Sequence, residues 1–130
     1  IKPYRTPEDL HTLRLDRGFV ELKLPRQAVP LRLLLTPYAN ELRLKTFLGT
    51  EAPDAALREV LAAHWRRLAD TYCDDAGVNL LMTHLFFVPA SGEVPEEPDG
   101  ERSILHVGGA SAVYAADVPP QIQYVALGHL

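Results

Sequence analysis

The sequence predicts a mixed α/β domain, and three patterns predict it. Leu57, Leu61, Trp65, Leu68 and Tyr72 recur at spacings of three and four, which lays one apolar stripe along a helix over residues 53–75. A nearly continuous apolar run follows from Val78 to Val88, the pattern of a strand covered on both faces in a mostly parallel sheet. Two shorter strand-like segments precede the helix. A helix followed by such a strand is half of a βαβ unit.

Taken in order, Thr6 caps a short helix over residues 7–13, with Pro7 in its first turn. Gly18-Phe-Val-Glu-Leu-Lys-Leu24 alternates apolar and polar residues like a half-buried strand, and Pro25 ends it. Leu31–Thr36, bounded by Pro30 and Pro37, is the next strand and is expected to pair with the first as a hairpin. Residues 37–40 turn the chain. In the long helix Pro53 suits the first turn, Asp54 and Glu59 favour the positive end of the dipole, and Gly77 suits the exit. His64 lies beside the apolar stripe and reads as a helix-flank histidine, with Arg66 and Arg67 on the solvated side.

Residues 90–102 hold Pro95, Pro98, Gly92, Gly100 and five acids, the composition of an exposed loop. Ser103–Val107 reads as a short strand turned by Gly108-Gly109, and residues 110–116 as a helical turn or irregular crossover stopped by Pro119-Pro120. Ile122–Leu127 is the last strand, and it delivers Gly128 and His129. No repeat and no internal boundary divides residues 1–130, so they are read as one domain.

At 47% hydrophobic residues the chain is too apolar to stay disordered. No apolar run approaches the roughly 20 residues that span a bilayer, so no membrane segment is expected. Ile1 is not a start methionine, and the chain is expected to come from within a longer protein. Cys73 is the sole cysteine. It excludes an intrachain disulfide, fits a reducing cytoplasm, and reads as a helix residue without chemistry. Charge is unevenly spread. Residues 1–45 carry nine basic and five acidic side chains, a balance of +4, while residues 46–130 carry four and twelve, a balance of −8. The second half repels a phosphate backbone unless metal ions offset it.

Chemistry points to two histidines. His84 closes the apolar run Val78-Asn-Leu-Leu-Met-Thr83, and His129 follows Tyr124–Leu127 through Gly128. Ligands of open α/β sheets gather outside the carboxyl ends of strands. Glycine lets the backbone turn sharply there and bring a side chain to the mouth of a site. Imidazole suits zinc, iron, manganese or nickel when carboxylates complete the shell, and three or four ligands are normal. His106, ahead of the Gly108-Gly109 turn, is a candidate behind those ligands, as is Gly128. His11 reads as surface, and Asp117 as a loop residue before prolines.

Three phrases carry a resemblance: Leu81-Met-Thr-His84-Leu, Ile104-Leu-His-Val-Gly-Gly109, and Val118-Pro-Pro-Gln-Ile-Gln-Tyr-Val-Ala-Leu-Gly-His129-Leu. Together they resemble the second half of the calcineurin-like metallophosphoesterases, and within them the SbcD-type nuclease subunits of DNA double-strand-break repair. The family phrase Asp-Tyr-Val-Ala-Leu-Gly-His-x-His is matched from Gln123 to Leu130, with Gln123 in place of the acid. The likeness is good over residues 78–130 and loose over 18–76.

The resemblance implies the rear half of a four-layer α/β/β/α domain, a partial β-sandwich flanked by helices. It implies that His84 and His129 bind the same metal of a two-metal manganese centre. The Asp-x-His, Gly-Asp and Gly-Asn-His-Asp motifs supply the remaining ligands and the histidine that protonates the leaving group in the family. None of the three is read in this chain. The implied parent is a DNA exonuclease and endonuclease, homodimeric and partnered by an SMC-like ATPase, with the 130 residues alone inactive. A phosphatase or cyclic-nucleotide phosphodiesterase, and a non-catalytic scaffold, are the alternative readings.

Overall fold

The computed structural model describes residues 10–36, 41–53, 56–88 and 112–128. The predicted helix start at Thr6 and Pro7, the 37–40 turn, the 90–102 loop, the 103–107 strand and the Gly108-Gly109 turn lie outside them. The chain is mixed α/β, as its patterning predicts. Five strands form one sheet in the order β1 (His11–Asp16), β2 (Phe19–Lys23), β3 (Leu31–Thr36), β4 (Val78–Thr83) and β7 (Tyr124–Leu127). Helices α1 (Glu41–Leu48) and α2 (Leu57–Tyr72) join β3 to β4. A second, two-stranded sheet pairs β5 (Phe86–Val88) with β6 (Ala112–Tyr114) in parallel.

The expected hairpin of β2 and β3 is antiparallel, and β3, β4 and β7 run parallel. β1 overturns the helix read over residues 7–13: His11-Thr-Leu13 belong to a strand. Leu13 and Leu15 alternate with Thr12, Arg14 and Asp16, a period of two. A two-residue turn at Arg17-Gly18, with Gly18 at φ 70, folds β1 onto β2. The long helix begins at Leu57 and ends at Tyr72, inside the predicted bounds of 53 and 75. Its last turn closes where the Cys73 N–H donates to the Ala69 carbonyl at 2.9 Å. The last strand likewise starts at Tyr124 rather than Ile122.

The apolar run 78–88 is two strands, not one. β4 stops at Thr83, and β5 joins the other sheet. Nor is β4 covered on both faces among the described residues: Asn79, Leu81 and Thr83 are buried, while Val78 and Met82 are exposed. Ala112–Tyr114 is strand rather than crossover, followed by a 3₁₀ turn at Ala115–Asp117.

Register explains the two faces. Asp16, Phe19, Leu34, Leu81 and Val125 form one row straight across five strands. Phe19, Leu34 and Leu81 meet Leu57, Leu61, Trp65 and Leu68 of α2 and Leu44 of α1 in a single core. On the opposite face the next row is Leu15, Val20, Leu33, Leu80 and Tyr124. Leu15 is 72% and Tyr124 64% exposed, so this face is apolar yet open to solvent.

Ion pairs fasten the helix face. Glu21, next along β2, accepts from Arg14 and Arg32, and Arg32 reaches on to Asp74 at 2.7 Å. Asp16 ties β1 to α2 by accepting from Tyr72 at 2.9 Å and Arg67 at 3.1 Å. The Arg17 N–H, then Tyr72 and Arg67, hold the Asp16 carboxyl down at about 2.

Candidate functional site

Parallel register brings the carboxyl ends of β3, β4 and β7 level. Thr36 pairs with Thr83, and Thr83 with Leu127. The next residues leave the sheet together: the Gly128 N–H donates to the Thr83 carbonyl at 2.9 Å. Leu85, only 2% exposed, plugs into the core and pins the break after β4. His84 is thereby held half-buried at the edge.

Its ring lies on Gly128. A Cβ built there would stand 2.6 Å from His84 Nδ1 and 3.5 Å from its Cγ, so only glycine leaves the imidazole its place. His84 therefore packs against the residue that covalently precedes His129. His129 and His106 themselves lie outside the described residues.

Around this edge runs a trough of about 500 Å³, from Gly18 and Phe47 at one end to His84 and Gly128 at the other. Thr36 and Thr83 line its middle. Thr36 accepts the indole N–H of Trp65 at 2.8 Å. Thr83 is 5% exposed, and its hydroxyl oxygen is buried without a hydrogen-bond partner. Behind Gly18 stands His64, whose Nε2 is buried and also unpartnered. Burial, aided by the Arg67 charge, holds the His64 imidazole below its ordinary value and so favours its neutral form.

Among the described residues no group of three or more His, Cys, Asp or Glu side chains stands together to hold a metal ion. At this edge the described donor set is a single imidazole, and a manganese shell needs donors from elsewhere. Contrary to the expectation that no Asp-x-His motif is present, Asp9-Leu10-His11 carries that spacing. His11 is nevertheless at the wrong place: it pairs with Lys23, on the outermost strand and level with the amino end of β3. Asp117 is engaged by Arg58 of α2 at 2.8 and 3.2 Å. Cys73 is buried, and burial pushes its thiol up, away from the reactive thiolate.

Phe47 and Gly18 carry no signal in the sequence for a place at this edge. Thr83 alone had a signal, a hydroxyl interrupting an apolar run directly before His84. No helix among the described residues is long and apolar enough to cross a membrane. No protein-family model matches the chain, and no curated protein or solved structure matches it.

Proposed function

We propose that this chain carries part of a metal-dependent phosphodiesterase centre, that of a metallophosphoesterase-type DNA nuclease. His84 and His129 are its ligands, delivered by neighbouring parallel strands. The observation that supports this reading is the packing of His84 on Gly128 at the carboxyl edge of β4 and β7. Such edges are where α/β sheets gather ligands. A bound manganese pair supplies the nucleophile and charge neutralisation that phosphodiester hydrolysis needs at neutral pH. The chain's own residues do the positioning. β4 and the buried Leu85 fix the His84 backbone, and Gly128 keeps the space for its ring.

The remaining ligands come from outside the described residues, among which His84 is the one imidazole at this edge. A second sheet of the same domain covers the open apolar face and completes the sandwich, a role that suits the row Leu15, Val20, Leu33, Leu80 and Tyr124. The parent protein works in the cytoplasm as a homodimer with an SMC-like ATPase. The metal offsets the −8 carried by the twelve acids and four bases of residues 46–130 when DNA approaches.

Two measurements test this. In the longer protein, His84→Ala and His129→Ala each abolish cleavage of linear duplex DNA while the circular dichroism spectrum survives. In the 130-residue chain, manganese binds weakly, broadens the His84 ring resonances first, and supports no hydrolysis. Unchanged cleavage in both variants removes the assignment. Hydrolysis of nitrophenyl esters without DNA cleavage replaces nuclease by phosphatase. Failure of manganese to touch His84 leaves the scaffold reading.

A further inference from the structure

Three elements converge on one nitrogen. His64 Nε2 is buried without a hydrogen-bond partner, although the residue as a whole is half-buried on the flank of α2. In front of it lies the turn from β1 to β2. A Cβ at Gly18 would stand 3.1 Å from Nε2 and 2.7 Å from the tip of the Phe47 ring, so the space of one missing side chain is shared by both. Beside it stands Phe47 of α1, whose ring meets the imidazole edge-on at 5.5 Å and 82°. Gly18 and Phe47 also form the end of the trough that lies away from His84 and Gly128. The imidazole is therefore the support behind that end.

This support suits only the neutral ring. A neutral imidazole can leave Nε2 as a bare lone pair against hydrocarbon. Protonation puts an N–H and a charge there with no acceptor, which is costly in a buried place. The surrounding charges do not rescue the cation. Arg67 of α2 and Arg17 of the turn repel it. Asp16 of β1 attracts it, but that carboxylate already accepts from Tyr72, Arg67 and the Arg17 N–H. α1 faces the ring with Phe47. The turn has its own anchor, since the Leu35 N–H donates to the Gly18 carbonyl at 2.8 Å, so the sheet does not depend on the ring. From a half-buried start, a change of side-chain rotamer brings the imidazole to water. We infer that His64 is an acid-released latch: on protonation its ring swings from behind Gly18 into solvent, and the Phe47 ring moves into the space it leaves, reshaping that end of the trough while the sheet stays folded. The latch is a local event and requires neither a metal nor the phosphodiesterase reading.

The test is an NMR titration of the 130-residue chain in EDTA from pH 8 to 5. The Gly18 amide and Phe47 ring resonances are expected to move together with the His64 ring, at one shared midpoint below about 6.5. Over the same range the Trp65 indole and the Leu81 amide, in the core behind them, should keep their folded positions. His64→Leu should abolish the movement at Gly18 and Phe47 with His84 still in place. Gly18 and Phe47 resonances that stay still while His64 titrates overturn the latch, and the parent chain alone decides this. So does movement that survives His64→Leu, or movement that comes only with loss of the folded Trp65 signal. Because no metal is present, none of these results bears on manganese binding at His84.

Discussion

The indole of Trp65 donates to the hydroxyl of Thr36 at 2.8 Å, tying the middle of α2 to the carboxyl end of β3. Trp65 is 1% exposed, so its N–H has no access to water. The bond therefore does two things: it satisfies a buried donor and fixes the helix relative to the edge that carries the site. Thr36→Val keeps the shape and removes the acceptor. It should cost about 1–3 kcal/mol, read as a lower urea midpoint at unchanged slope. Thr36→Ser should recover most of it. A midpoint unmoved by the valine would mean that the indole finds another acceptor.

Gly128→Ala tests the seat of His84. The added carbon needs space that Nδ1 occupies at 2.6 Å, and the imidazole is half-buried, so the ring swings away rather than the sheet opening. The expected outcome is a shift of the His84 ring resonances and loss of manganese broadening at them. The stability change should stay below about 1 kcal/mol, as for an edge residue outside the core. Ring resonances that stay in place would show that Gly128 does not set the imidazole.

How much of this was legible in the sequence depends on how local each signal was. The stripe of α2 and the proline-bounded β3 are carried by residues within one element, and both were found. β1 was missed because Thr6 and Pro7 imitate a helix start, whereas its strand character rests on pairing with β2 beyond the turn. α1 was missed because its pattern is weak, with Leu42 exposed and Leu44 buried only two residues on. The run 78–88 was read as one strand because Leu85, although apolar, belongs to the break, and nothing in composition separates a core plug from a strand residue. At the site, His84 and Gly128 were legible as strand-end residues. The trough was not, since Gly18, Phe47 and Thr83 meet only through the parallel register of β3, β4 and β7 and the placement of α1.

The charges on the helix face make a sharper prediction. Glu21 and Arg32 side chains are each 6% exposed and bond at 2.7 Å, while the Asp74 partner of Arg32 is 64% exposed. The Arg14 guanidinium, then that of Arg32, holds the Glu21 carboxyl below the usual range. Removing Glu21 strands a buried guanidinium, and the solvated Asp74 offers little in return. Glu21→Leu should therefore cost about 3 kcal/mol or more. Adding Arg32→Met should return much of that loss, because the double variant leaves no buried charge. Chemical denaturation of the two singles and the double gives the cycle, and simple additivity would contradict the coupling.

His64 sets the pH response of the same region. Its Nε2 is buried without a partner against Gly18, and its ring meets Phe47 edge-on at 5.5 Å. Burial is the main reason its folded value lies below the ordinary one, and Arg67 adds to it. Asp16 and the Arg17 backbone oppose without reversing it. The sign follows from which state binds the proton. Above about pH 6.5 the ring is neutral in both states and contributes no pH dependence. As the pH falls through that ordinary value toward the lowered folded one, the unfolded chain takes up the proton first, and stability is lost. Below the folded value the loss is complete. His64→Leu keeps an apolar group against Phe47 and removes the titration. Urea midpoints from pH 8 to 5 should therefore fall more steeply for the parent than for His64→Leu, with the two curves separating below pH 6.5. Parallel curves would mean that the imidazole reaches water in the folded protein and that its burial behind Gly18 is not maintained in solution.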